Sequence, residues 1–169
     1  MSPDKVVEAV TGGLPMPKPA DGRLQAIAER GRQLANANCA MCHTPVPMVT
    51  PPDARLNLTG GTKAASPFFG VRYTRNLTPD TETGLGNWSI PEIIRTMRTG
   101  VAKDGRHIHW MDMPWDRFSN FTDEDLAAIA IYLKSIPPVK HKVPPPDPNG
   151  PSPIPAVSIY FGDEGKLIR

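Results

Sequence analysis

The chain has 169 residues, with 19 lysines and arginines against 17 aspartates and glutamates, a formal charge of +2. That balance excludes a protein that holds nucleic acid by broad phosphate neutralisation, and no stretch approaches the roughly 20 apolar residues of a membrane span. Proline, at 21 of 169 residues, is too abundant for regular structure to fill the chain; only two cysteines, Cys39 and Cys42, rule out a disulfide-stapled miniprotein.

Residues 1–20 read as an extended lead-in, broken by Gly12, Gly13, Pro15, Pro17 and Pro19. It lacks the basic start and long apolar run of a secretory signal, and the reading is that a native leader or membrane anchor has been removed. The first helix is expected from about Asp21 to Asn38, with Leu24, Ile27, Ala28, Gly31 and Leu34 spaced along one buried face. Glycine inside a helix costs about 1 kcal/mol against alanine, so Gly31 points to a second helix crossing closely there, with a kink as the plainer alternative.

A second helix opens at Ser89-Ile90-Pro91-Glu92, a serine cap with glutamate three residues on, and stops at Gly100. Ile93, Ile94 and Met97 form its apolar stripe, which assigns Met97 to the core. The third opens at Thr122, followed by acidic residues that suit a helix N-terminus, and ends before Pro137-Pro138. Its stripe is Leu126, Ile129, Ala130 and Leu133. Nothing between these helices shows sustained strand alternation, so the expectation is an all-α fold with long loops. Residues 137–155 hold nine of the prolines and read as extended chain, ending in a short apolar stretch at Val157–Phe161. The expected division is a lead-in over 1–20, one domain over 21–142 and a proline-rich extension over 143–169, with His141 exposed.

The chemistry lies in Cys39-Ala40-Met41-Cys42-His43. Two cysteines two residues apart, followed at once by histidine, are the attachment signature of c-type haem. Each thiol can add to one vinyl group, and the adjacent imidazole can supply the proximal iron ligand. Three plainer readings compete. A thioredoxin-like dithiol needs a βαβ context that is missing. A zinc site needs four ligands, and His107, His109 and His141 offer no second tight pair. Free thiols by chance are the third. A covalent haem is favoured, because a large apolar disc would also organise a core between few helices and give the loops over 44–88 and 101–122 something to wrap. Phe68, Phe69, Leu77, Trp88, Ile94, Met97, Trp110, Trp115 and Phe118 are candidates for its wall, though each taken alone reads more readily as plain core.

The sixth ligand separates an electron carrier, with two strong axial ligands, from a haem enzyme or gas sensor with an open or labile position. Met113 is favoured because Pro114 stiffens the chain beside it. Met111, His107 and His109 remain alternatives.

Gly31 before the Cys-x-x-Cys-His segment, and Met113-Pro114-Trp115 before a helix containing Ile131-Tyr132-Leu133, make residues 23–143 resemble a class I cytochrome c. More narrowly, Asn76-Leu77-Thr78-Pro79-Asp80, Thr83–Ser89 and Arg98-Thr99-Gly100 resemble the bacterial monohaem domains associated with dehydrogenases. The resemblance implies a cytochrome c fold around one haem c bound through Cys39 and Cys42. It implies His43 and Met113 as iron ligands, and a crossing of Gly31 with the last helix near Tyr132. It further implies a periplasmic electron carrier rather than an enzyme, taking electrons from a dehydrogenase and passing them to an oxidase or another cytochrome. Arg72, Tyr73, Arg75, Asn76 and Trp88 are candidate donors to the haem propionates. Pro45, Pro47, Pro51 and Pro52 are candidates for the carbonyl that orients His43.

Overall fold

A computed structural model describes residues 14–45, 56–66 and 70–147, together with the backbone of 159–160 and 167–168. After a capped 3-10 turn at Gly22–Leu24, α1 runs Gln25–Asn38 and α2 is the short Ala40–His43. A hairpin follows, β1 (Lys63–Ser66) and β2 (Gly70–Tyr73), antiparallel with Ala64 opposite Arg72 and Ala65 opposite Val71. Then come α3 (Ile90–Thr99), α4 (Trp115–Phe118) and α5 (Asp123–Ser135). Ile159–Tyr160 (β3) and Leu167–Ile168 (β4) pair antiparallel near the C-terminus.

The helices form where their caps predict. Ser89 Oγ accepts from the Glu92 amide while the Glu92 carboxylate accepts from the Ser89 amide at 2.7 Å, a complete capping box. Gly100 closes α3 at φ 70°, in the left-handed region that favours glycine. Thr122 Oγ1 accepts from the Asp125 amide at 3.1 Å to open α5. The hairpin and the pair β3–β4 correct the all-loop reading between and after the helices; strands of two to four residues are too short to show alternation.

The core lies between α1 and α5, with α3 against α5. Leu126, Ile129, Tyr132 and Leu133 of α5 are buried, as are Ile93 and Met97 of α3. On α1 the face differs from its periodicity. Ala28, Gly31 and Ala35 are buried, whereas Ile27 is 41% exposed. The reason is proximity: a Cβ on Gly31 would stand 2.8 Å from the Tyr132 Cβ and would overlap the Ala128 carbonyl. Only small side chains fit the centre of that crossing.

Chain near both ends of the expected 21–142 domain packs against its helices and loops. Within the lead-in, Leu14 is 4% exposed in the core, Pro15 O accepts from the Tyr132 hydroxyl at 3.1 Å, and the Lys18 amide donates to Ser135 O at 2.8 Å. The valines and glycines before Leu14 lie outside the described residues. At the other end, Val139 O accepts from Asn76 Nδ2 at 2.8 Å, and Asp147 exchanges two backbone hydrogen bonds with Val71, at 2.7 and 2.8 Å. The proline-rich chain to Asp147 is therefore a strap across the loop at 76–83 and the edge of β2. His141 is not fully exposed; its ring faces Gly61.

Candidate haem site

Cys39 ends α1, its amide donating to Ala35 O at 2.8 Å, and α2 turns at once so that the His43 amide donates to Cys39 O at 2.9 Å. One helical turn thus carries both thiols and the imidazole. Cys39 is buried and Cys42 exposed, and both are free thiols. Burial pushes the Cys39 thiol up to about 12, with the neighbouring Cys42 adding to the rise. A dithiol oxidoreductase needs the opposite, a thiolate stabilised near neutrality.

The His43 ring is oriented by a carbonyl: Nδ1 lies 2.7 Å from Arg75 O. A carbonyl can only accept, so Nδ1 carries the hydrogen and Nε2 keeps its lone pair, the tautomer a metal requires. Burial, partly opposed by this bond, lowers the basicity of the ring and holds it neutral. The partner is Arg75, not Pro45; Pro47, Pro51 and Pro52 lie outside the described residues. Sequence reasoning also missed Gly60. Its amide donates to His43 O at 2.7 Å, and at φ 74° a Cβ there would meet the Arg75 carbonyl carbon at 2.5 Å. Gly60 is what lets the Arg75 backbone approach the histidine. The glycine pair in Thr59-Gly60-Gly61-Thr62 was the available signal.

The four candidates for the other axial position differ in exposure along the loop before α4. His107 and His109 are exposed, and Met111 is 54% exposed. Met113 instead packs against the core cluster, beside Ile94 and Leu77 as fellow partly buried members. Its backbone is fixed on both sides. The Met113 amide donates to His109 O at 3.2 Å, and Met113 O accepts from the Trp115 amide at 2.7 Å across Pro114 at φ −75°, ψ 62°. That is an inverse γ-turn. The Trp115 indole donates to Ile108 O at 2.9 Å and covers Gly100, anchoring the turn on α3.

The five candidate propionate donors part company. Asn76 is 2% exposed and spends its whole amide inside the protein. Nδ2 donates to Thr83 Oγ1 and Val139 O; Oδ1 accepts from the Thr78 amide and hydroxyl. It braces the loop and has no donor left for a propionate. Arg72 Nη1 stands 3.2 Å from Asp112 Oδ2. Arg75 Nη1 donates to Pro144 O at 3.3 Å and, with Lys140 and Lys142, lines a cleft of about 400 Å³ under the strap. Tyr73 and Trp88 are partly buried, Trp88 against the core.

These residues fit a haem c. Two free thiols and a histidine of the right tautomer share one turn, and Leu34, Leu77, Trp88, Ile94 and Met113 are packed on the core yet incompletely covered. Such half-covered apolar side chains are what a flat macrocycle would complete. Phe68 and Phe69 lie outside the described residues. Among the described residues no three His, Cys, Asp or Glu side chains are grouped to hold a metal ion, so the zinc reading lacks its ligand set. No described helix is long and apolar enough to cross a membrane.

Known proteins agree with the geometry. The chain is 42% identical over 120 residues to one subunit of the nicotinate dehydrogenase of Pseudomonas putida, a match covering 70% of this chain and 9% of that protein. It is 32% identical over 125 residues to the cytochrome c subunit of a quinone alcohol dehydrogenase of Gluconobacter oxydans, covering 73% and 24%. With the fructose dehydrogenase cytochrome subunit of Gluconobacter japonicus it shares 33% identity over 118 residues, covering 69% and 22%. The chain thus spans at most about a quarter of the length of these three relatives. The cytochrome c family profile matches residues 28–137, from the α1 face that meets α5 through the end of α5. The chain belongs to the cytochrome c family, whose members carry covalently bound haem and transfer electrons.

Proposed function

We propose that the protein is a periplasmic single-electron carrier with one haem c, attached through Cys39 and Cys42 and ligated by His43 and Met113. Bound haem iron supplies reversible one-electron exchange; the residues of the chain set its ligands and its surroundings. Arg75 O fixes the His43 tautomer and ring plane, the inverse γ-turn at Pro114 holds Met113 on the core side of its loop, and the apolar wall limits water. The observation that carries the reading is the 2.7 Å contact of His43 Nδ1 with Arg75 O, because it prepares Nε2 for a metal.

The partner class is supported by the relatives, which are named as dehydrogenases or dehydrogenase cytochrome subunits. On that basis the donor is a dehydrogenase and the acceptor an oxidase or another cytochrome. Maturation of haem c outside the cytoplasm accounts for the assigned location.

Optical spectra of the matured protein test the reading. Low-spin ferric iron with a methionine–iron charge-transfer band supports it. High-spin iron, or rapid carbon monoxide binding by the ferrous form, would transfer the protein to the haem-enzyme or gas-sensor class.

A further inference from the structure

We propose that Arg72 is a positioning residue for Met113, acting through Asp112. The inference rests on Met113 as the axial ligand and concerns what keeps it there. On its C-terminal side Met113 is secured by the Pro114 turn and the Trp115 indole. On its N-terminal side the chain is exposed at His107, His109, Trp110 and Met111. The residue that turns inward there is Asp112, with a side chain only 15% exposed.

A carboxylate in that position is costly to desolvate unless a cation compensates it. Its Oδ1 is buried with no hydrogen-bond partner among the described residues, while Oδ2 stands 3.2 Å from Arg72 Nη1. Arg72 stands on a fixed base. It lies on β2 opposite Ala64, and its neighbour Val71 is bonded to Asp147 of the strap. The ion pair therefore lies between the methionine loop and the hairpin. More specifically, the guanidinium makes the inward position of Asp112 tolerable. Without it, hydrating the carboxylate favours an outward loop, which draws Met113 away with it.

This logic is asymmetric. Losing Arg72 leaves a buried anion that drives the loop out; losing the Asp112 charge removes the reason to leave. The experiment uses matured protein and measures imidazole binding to ferric iron, the methionine–iron charge-transfer band and the thermal midpoint. Arg72→Gln is expected to bind imidazole about tenfold more tightly than wild type, because the methionine-dissociated population rises, and to weaken the band. Asp112→Asn is expected to stay close to wild type, and Arg72→Gln/Asp112→Asn to return toward it. Arg72→Lys, which keeps the charge, falls between and serves if Arg72→Gln does not mature.

A lower thermal midpoint in Arg72→Gln with unchanged imidazole affinity and band would make the pair merely structural and overturn the proposal. So would an Asp112→Asn variant as leaky as Arg72→Gln, or a double variant worse than both. Met113→Ala is the separate control: if it leaves imidazole binding unchanged, the axial assignment itself fails.

Discussion

Gly31 of α1 lies against the backbone carbonyl of Ala128 in α5, closer than any side chain would permit. A Cβ at that position would overlap the Ala128 oxygen and stand 2.8 Å from the Tyr132 Cβ. The first of these is backbone and cannot rotate aside, so a methyl group must push the two helices apart. Overpacking a close-packed core commonly costs about 1–3 kcal/mol, and more where backbone has to shift. Gly31→Ala is therefore expected to lose about 3 kcal/mol or more, against the small gain alanine brings to an isolated helix. Urea unfolding checks this. An unchanged midpoint would mean that the helices separate without penalty.

The proposed distal ligand gives the second prediction. Met113 packs on the core whereas Met111 is 54% exposed, two residues away. Met113→Ala is expected to lower the midpoint potential and open ferrous iron to carbon monoxide, since a thioether favours the reduced state. Met111→Ala is expected to do neither. Potentiometry and carbon monoxide titration of both variants measure the outcome, and the reverse pattern would move the ligand to Met111.

The helices and the candidate haem turn were legible because each carries local chemistry: caps at Ser89 and Thr122, a stop at Gly100, and the Cys39–His43 spacing. Gly31 was legible as well, since a glycine in mid-helix needs a reason. The support of His43 was not. It comes from Arg75, 32 residues away, through a backbone carbonyl that carries no residue signature. Arg75 was read by its guanidinium and Asn76 by its amide, when the first contributes its main chain and the second closes a loop. Long-range backbone contacts, including the strap at Asp147, are properties of the fold rather than of any local pattern.

Asn76 offers a direct measure of that loop. All of its hydrogen-bonding positions are taken, joining the loop at 76–83 to the strap at Val139. Asn76→Ala would leave the buried Thr78 amide without this partner, while the part-buried Val139 carbonyl keeps the Thr78 hydroxyl. A buried group so stranded costs about 1–3 kcal/mol, and the expected loss is of that size. Chemical denaturation gives the value. Because Arg75 adjoins Asn76, hydrogen exchange at the His43 and Gly60 amides should accelerate in the same variant; unaltered exchange would separate the loop from the histidine support.

Acid sensitivity is the last prediction, and its sign follows from two carboxylates. Hydrogen bonds from the Thr83 hydroxyl and amide hold Asp80 below its usual 3.8, and those from Ser89 in the capping box hold Glu92 below its usual 4.5. In both, the folded state binds its proton less readily than the unfolded chain does. Their contribution is fully present above the ordinary carboxylate range and is lost as pH falls through the lowered folded values. Stability should therefore decline from about pH 4.5 downward. Glu92→Gln and Asp80→Asn should each be less stable than wild type at pH 7, and the gap should narrow as pH falls through the lowered folded values. Both groups are partly exposed and screened by solvent, so the effect is read as a convergence of urea midpoints rather than as a large energy. Parallel curves for variant and wild type across that range would show that acid unfolding begins elsewhere.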